Sequence, residues 1–260
     1  MRKELFHFNL PVFLSNNNQV TVYTYAFVIA LGCLIAAIYT RKSAKKELKI
    51  ELPNSFFYMI FSAGFVGGKV LFFLEKPVFY YANPKLILSH FARGYVFYGS
   101  FIFCILAIAW YLKKKRIPVL PMLDILAITT LIVHGIGRLG CFFAGCCYGK
   151  PTDHLFGVVF PLSNNVAVHP TQLYEAAILL LIMTFLLFVK KYKQFNGQIF
   201  ILYLSLYAIS RSILELFRGD KRGFLIDGFL SHSQGIALIL ILISVYFYYK
   251  LFKNKLTLKL

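Results

Sequence analysis

"ILAITTLIVHGIGRLGCFFAGCCYG", residues 125–149, decides how the rest of this chain is read. It begins as an unbroken apolar run. It then packs a histidine, an arginine, three cysteines and five glycines into positions 134–149. Four readings are open for such an ending: a nucleotide loop, a metal site, a tight helix contact or the floor of a catalytic site. "GIGRLG" has the form GxGxxG, but a dinucleotide site needs that pattern between a strand and a helix. Here it follows a membrane-type apolar run, so the nucleotide reading is set aside. Gly145 and Gly149 are four apart, as are Gly64 and Gly68, a spacing that lets membrane helices touch. Packing explains glycines; it does not explain Arg138.

The 260 residues are 59% hydrophobic and 15% charged, where a soluble domain carries about 25% charged residues. The net charge of +18 on so apolar a chain argues against nucleic acid as partner and for loops facing anionic membrane lipid. A bilayer core needs about 20 mostly apolar residues per helix. Such stretches lie near 20–40, 55–74, 95–112, 121–142, 172–189, 197–217 and 234–252. The expectation is an all-α, polytopic integral membrane protein of seven transmembrane helices, a single transmembrane domain over residues 1–260. Loops 75–94 and 150–170 should form a small outer-face region.

Basic residues orient it. Arg41, Lys42, Lys45, Lys46, Lys49, Lys113, Lys114, Lys115, Arg116, Lys190, Lys191, Lys193, Lys250, Lys253, Lys255 and Lys259 fall on one side of seven spans. The other side holds Arg2, Lys3, Lys76, Lys85, Arg93, Lys150, Arg218, Lys221 and Arg222. By the positive-inside rule the C-terminus is cytoplasmic and the N-terminus outside. Residues 1–19 do not read as a secretory signal, because Asn9 and Pro11 break a short apolar run.

Ionisable groups inside spans are costly and mark sites by default. Here they are Lys69, Asp124, His134, Arg138, Glu175, Arg211 and Glu215. Asp124 opens a span and reads as an interfacial helix-start acid. In a continued helix His134, Arg138 and Cys141 share one face, at i, i+4 and i+7. A guanidinium there suits a phosphate, to which its planar fork donates two hydrogen bonds. In "HPTQLYEA", 169–176, Pro170 and Thr171 read as a helix start, with Thr171 the cap and Glu175 in the first turn. In the sixth span Tyr207, Arg211, Glu215 and Arg218 form a polar stripe in which Arg211 and Glu215 can pair. Ser205 and Ser210 have no base within reach of the pattern, so serine hydrolysis is unsupported.

Cys33 and Cys104 lie in apolar runs and read as small core residues. Cys141, Cys146 and Cys147 allow a metal ligand set, a redox pair, or compact residues on a substrate-facing helix. The spacing Cys-x4-Cys-Cys is not that of the usual zinc modules, and neighbouring cysteines chelate poorly. The compact reading is preferred, with no metal.

Together "GRLGCFFAGCCYG", "HPTQLYEA" and "RSILELFR", in this order in a seven-span chain, resemble the bacterial prolipoprotein diacylglyceryl transferases. "VYTYAF" in the first span and "GFVGGKVLFF" in the second extend the resemblance over nearly the whole chain. It implies transfer of a diacylglyceryl group from phosphatidylglycerol to the lipobox cysteine thiol of a preprolipoprotein. The product is a thioether and glycerol phosphate, made at the bacterial inner (plasma) membrane without a metal or organic cofactor. The resemblance maps the family's "GRxGNF" arginine onto Arg138 and its sixth-span arginine and glutamate onto Arg211 and Glu215. It maps family tyrosines onto Tyr23 and Tyr207 and the closing glycine onto Gly149. With His134, the residues Arg138, Arg211 and Glu215 form the expected catalytic set. Tyr23, Tyr98, Cys141, Gly149, Glu175 and Tyr207 are the expected substrate contacts.

Three positions depart from the family pattern. Cys141 replaces the asparagine after "GRLG", Cys146 replaces the glutamate of "NGExxG", and Tyr98 of "VFYGSF" replaces the histidine of "HGG". His134 is an added histidine that can supply a base or donor. These departures leave open a paralogous transferase with another lipid donor or acceptor, and a non-enzymatic thiol or metal membrane protein.

Overall fold

The computed structural model describes residues 4–9, 19–91, 94–219, 224–226 and 230–257. Residues 10–18 and the basic Arg2, Lys3, Arg93, Lys221, Arg222 and Lys259 lie outside the described residues. The chain forms two compact units, Met1–Ser43 with Leu123–Leu260, and Ala44–Met122.

In the larger unit, strands β1 (Glu4–Asn9) and β2 (Gln19–Tyr23) pair antiparallel ahead of helix α1 (Thr24–Ser43). The expected first span therefore starts four residues late, and Tyr23 ends a strand rather than lying within the helix. Its side chain is exposed. A π-helical segment, Ala44–Leu48, follows α1.

The smaller unit contains α2 (Asn54–Leu74), the short α3 (Pro77–Ala82) and α4 (Lys85–His90), and α5 (Phe97–Lys114). Helices α2 and α5 pack through glycine. A methyl group on Gly99 would lie 2.1 Å from the Gly67 carbonyl oxygen, so neither position accepts a side chain without moving backbone. Lys69 is buried on α2, where its Nζ donates to the Gly94 carbonyl at 2.7 Å and lies 5.4 Å from the Phe91 ring centroid. It is held by backbone and aromatic faces.

The remaining helices are α6 (Val119–Ala144), α7 (Thr171–Lys190), α8 (Gln198–Glu215) and α9 (His232–Thr257). Between α6 and α7 lies a two-stranded hairpin, β3 (Val158–Val159) with β4 (Ala167–Val168); a second, β5 (Phe224–Ile226) with β6 (Leu230–Ser231), precedes α9. The core seam joins three helices: Ala127, Ile128 and Leu131 of α6, Leu179, Ile182 and Leu186 of α7, and Ile199 and Tyr203 of α8. Helix α1 approaches α6 at Gly32, beside Ile136, and the Thr40 and Thr129 hydroxyls hydrogen-bond at 2.7 Å.

This is a multi-pass membrane protein in its helix content. Six helices among the described residues are long and apolar enough to cross a membrane: α1 with its π-helical extension, α2, α5, α6, α7 and α9. Their outward faces are apolar, as Leu181, Phe188, Ile239 and Leu242 illustrate. Helix α8, with 18 residues, carries Tyr207, Arg211 and Glu215 and is not among the six.

Two expectations are corrected at helix ends. Asp124 is not interfacial but fully buried, and it caps a different helix. Its Oδ2 accepts from Gly197 N at 2.8 Å and Lys193 Nζ at 3.1 Å, and its Oδ1 accepts from Phe200 N at 3.0 Å. Those backbone donors are otherwise orphaned at the start of α8. Thr171 does not cap α7; the cap position is Pro170, and the Thr171 hydroxyl donates to the Cys147 carbonyl at 2.9 Å.

Candidate active site

Helix α6 has 26 residues, about 39 Å at 1.5 Å per residue, against a hydrocarbon core of about 30 Å. The excess length is why a greasy helix ends in polar residues. The helix runs unbroken through His134, Arg138 and Cys141, so the three do share a face.

Helix α7 delivers the carboxylate that meets this face. Glu175 is the fifth residue of α7, one residue deeper than a Thr171 cap would place it, and it is 2% exposed. Its Oε2 lies 2.9 Å from Arg138 Nε and its Oε1 lies 3.2 Å from His134 Nε2. Arg138 Nε also donates to His134 Nε2 at 3.3 Å. One N–H of the guanidinium is thus committed to the pair, and the terminal amino groups remain for another anion. Guanidinium, imidazole and carboxylate thus meet within 3.3 Å of one another.

Helix α8 supplies the third wall. The Tyr207 ring meets His134 edge-on at 5.3 Å and stacks on Tyr203 at 6.1 Å. Arg211 Nη2 lies 2.5 Å from Glu215 Oε2, the expected i, i+4 pair. The Arg211 charge reaches both Glu175 and Tyr207. Arg218, expected to continue the stripe, lies beyond the end of α8, where its backbone bridges to Gly149.

Several buried polar atoms among the described residues lack a hydrogen-bond partner: Arg211 Nη1, Glu175 Oε1 and Gln172 Oε1. Buried polar groups are satisfied almost everywhere in folded proteins, by protein or by ordered water, so these atoms mark where a further polar partner fits. Gln172 was not expected from the sequence. It is 1% exposed, sits three residues before Glu175 on α7, and donates Nε2 to the Cys146 carbonyl at 2.5 Å. The i, i+3 spacing of two polar residues in an apolar helix was the available signal.

The other expected residues fall differently. Gly149 is tightly packed: a methyl group there would lie 2.3 Å from the Phe217 carbonyl oxygen, and its N–H donates to the His169 carbonyl at 2.8 Å. Cys141 lies on the site-facing helix beside Cys146 and Cys147. The Cys147 thiol donates to Cys146 Sγ at 3.7 Å, and the Cys146 thiol donates to the Cys141 carbonyl at 3.7 Å. Tyr98 is exposed near the start of α5 in the smaller unit, and Tyr23 ends β2. A groove of about 380 Å³ between α8 and α9, lined by Ser205, Ser244 and Tyr248 among apolar residues, contains none of the clustered charges.

Two partly buried arginines on apolar helices, Arg138 of α6 and Arg211 of α8, are each ion-paired to a carboxylate. The chain belongs to the prolipoprotein diacylglyceryl transferase family, whose profile matches residues 11–250. It is 38% identical over 232 residues to the phosphatidylglycerol–prolipoprotein diacylglyceryl transferase of Clostridium tetani, covering 86% of this chain and 91% of that one. It is 31% identical to the second such transferase of Clostridium perfringens, over 87% of this chain and 90% of that one. The transferase of Aliarcobacter butzleri is 30% identical, over 93% of both chains.

Proposed function

We propose that this chain transfers the diacylglyceryl group of phosphatidylglycerol to the lipobox cysteine thiol of preprolipoproteins at the outer face of the bacterial inner membrane. The observation that carries this is the Arg138–Glu175–His134 cluster beside the Arg211–Glu215 pair, with unpartnered donor and acceptor atoms between α6, α7 and α8.

Arg138 and Arg211 hold the donor phosphate. As the glyceryl C–O bond breaks, the departing glycerol phosphate gains negative charge, and the preset guanidinium groups stabilise it in a dry site. Glu175 fixes Arg138 through Nε, so the terminal fork faces the lipid. His134 is the base that takes the acceptor thiol's proton, and the resulting thiolate attacks the glyceryl carbon. Glu215 orients Arg211, and Tyr207 packs against His134. Tyr23 and Cys141 contact the substrates.

The topology is seven spans with α8 as the sixth, N-terminus outside and C-terminus cytoplasmic, forming one catalytic domain over the chain. Its polar stripe makes α8 the least lipid-compatible span, as a helix lining a polar site should be. The test is a strain depleted of its own transferase and complemented with this chain. Mass spectrometry of lipoprotein N-terminal peptides should recover thioether-linked diacylglycerol. Viability without that modification would refute the assignment.

A further inference from the structure

The turn that ends α6 brings three thiols to one point. The Sγ atoms of Cys141, Cys146 and Cys147 all lie within 4.8 Å of one another, and Cys146 and Cys147 are 3.7 Å apart. Thiolates around a tetrahedral zinc at 2.3 Å stand about 3.8 Å apart, so the trio needs only a small contraction to enclose an ion. Neighbouring cysteines on regular backbone chelate poorly because their side chains diverge. Here the backbone is not regular. Gly145 has φ 70° and Cys147 has φ 65°, a left-handed conformation that costs a non-glycine residue energy. This double reversal folds Cys146 and Cys147 back over the last turn of α6, where Cys146 N donates to the Cys141 carbonyl at 3.2 Å.

The turn is also held from outside. Gln172 Nε2 and the Thr171 hydroxyl, both at the start of α7, donate to the Cys146 and Cys147 carbonyls. The thiols are therefore placed before any ligand arrives. Cys141 and Cys146 are half-buried, whereas Cys147 is exposed. Three protein thiols, one of them exposed, leave a fourth position for an incoming ligand, the layout of a zinc centre that binds a substrate rather than one that only stabilises a fold. Three thiolates on a divalent ion leave one net negative charge, and the nearby Arg138 and Arg218 offset it.

The geometry points to a three-thiolate site for one zinc ion at Cys141, Cys146 and Cys147, with its fourth position taken by the thiol of the acceptor cysteine. This rests on the transferase reading for the identity of the fourth ligand, and on the thiol geometry alone for the ion. A thiol that coordinates zinc releases its proton and stays nucleophilic at neutral pH. Its sulfur then forms the bond to the glyceryl carbon. The carbon–oxygen bond to phosphate breaks, the electron pair leaves on glycerol phosphate, and the thiol's proton, taken up by His134, passes on to that product or to solvent. The zinc is unchanged, and the neutral thioether is released from it. This gives a physical reason for two departures from the family pattern, since Cys141 and Cys146 stand where the family has asparagine and glutamate.

The test uses the full-length protein, purified reduced in detergent and freed of metal with a chelator. Zinc alone is added, and bound metal is measured per chain. One equivalent is expected, with at least tenfold weaker binding in Cys141→Ser, Cys146→Ser and Cys147→Ser. Cys33→Ser and Cys104→Ser should match the parent. If the serine variants do not fold, zinc protection of these three thiols in the parent against alkylation, read by mass spectrometry, decides instead. The cobalt-loaded protein should show a thiolate charge-transfer band that changes with a lipobox peptide carrying cysteine and not with its serine counterpart. Less than a tenth of an equivalent of zinc in fully reduced parent protein, or full binding by the triple serine variant, would overturn the site. A cobalt spectrum blind to the cysteine peptide would overturn the open position. Zinc bound normally by a chain that transfers no lipid would refute the transferase assignment and leave the ion site standing.

Discussion

At one end of α6, Asp124 is fully buried and accepts three hydrogen bonds, two from the backbone of α8 and one from Lys193. Toward the other end, Glu175 is almost as buried, yet its Oε1, 3.2 Å from His134 Nε2, has no hydrogen bond among the described residues, and neither has Arg211 Nη1. Both are carboxylates in an apolar surround, each with a basic side chain at about 3 Å. The difference is saturation. The Asp124 carboxylate is saturated by protein donors, whereas the Glu175 site holds polar atoms with no hydrogen-bond partner among the described residues, open to a ligand or to water. Leaving such groups open costs stability, of order 1–3 kcal/mol each, and a fold keeps that cost where it serves binding.

If that contrast holds, substitutions at the two ends should separate activity from stability. The largest effect is expected for Arg138→Lys, because an ammonium keeps the charge and loses the fork. Transferase activity should fall at least a hundredfold, about 3 kcal/mol of transition-state stabilisation, with the melting temperature nearly unchanged. Initial-rate assays with thermal melts on the same preparation check it. His134→Ala should follow, with a loss of about a hundredfold from removing the base, measured as kcat with saturating peptide. A variant as active as the parent would remove His134 from the mechanism.

Glu175→Gln should lower activity about tenfold, since Arg138 loses the partner that aims it. It should also lower stability, because an unpaired buried guanidinium remains. Asp124→Asn gives the opposite pattern and the smallest change in activity. It should cost about 3 kcal/mol in stability by breaking a buried pair and a helix cap, with activity per folded molecule unchanged. Chemical denaturation in mixed micelles, with activity normalised to folded protein, checks both. An Asp124→Asn chain that is stable but inactive would break the comparison.

The helices were legible because membrane spans announce themselves by length. Residues 55–74 and 172–189 correspond to α2 and α7 to within a residue. The polar stripe of α8 also read correctly up to Glu215, since Arg211 and Glu215 are neighbours on any helix. It failed at Arg218, where the chain leaves the helix to pair with Gly149, a tertiary contact no periodicity encodes. Asp124 was misplaced for the same reason: its partners are 69 to 76 residues away, on a segment whose approach depends on the packing of α6 against α8. The pairing of His134 and Arg138 on one face could be read from i, i+4 spacing. The arrival of Glu175 from α7 could not, and that contact turns two polar residues into a site.

The most direct measurement of the central claim is made on the protein reconstituted in phosphatidylglycerol vesicles with a lipobox peptide. Mass spectrometry follows the peptide for the parent, Arg138→Lys and Asp124→Asn. The parent and Asp124→Asn should convert the cysteine peptide to its diacylglyceryl thioether at similar rates per folded molecule and leave a serine peptide untouched. Arg138→Lys should be at least a hundredfold slower. No thioether from the parent, or equal rates for the parent and Arg138→Lys, would contradict the account.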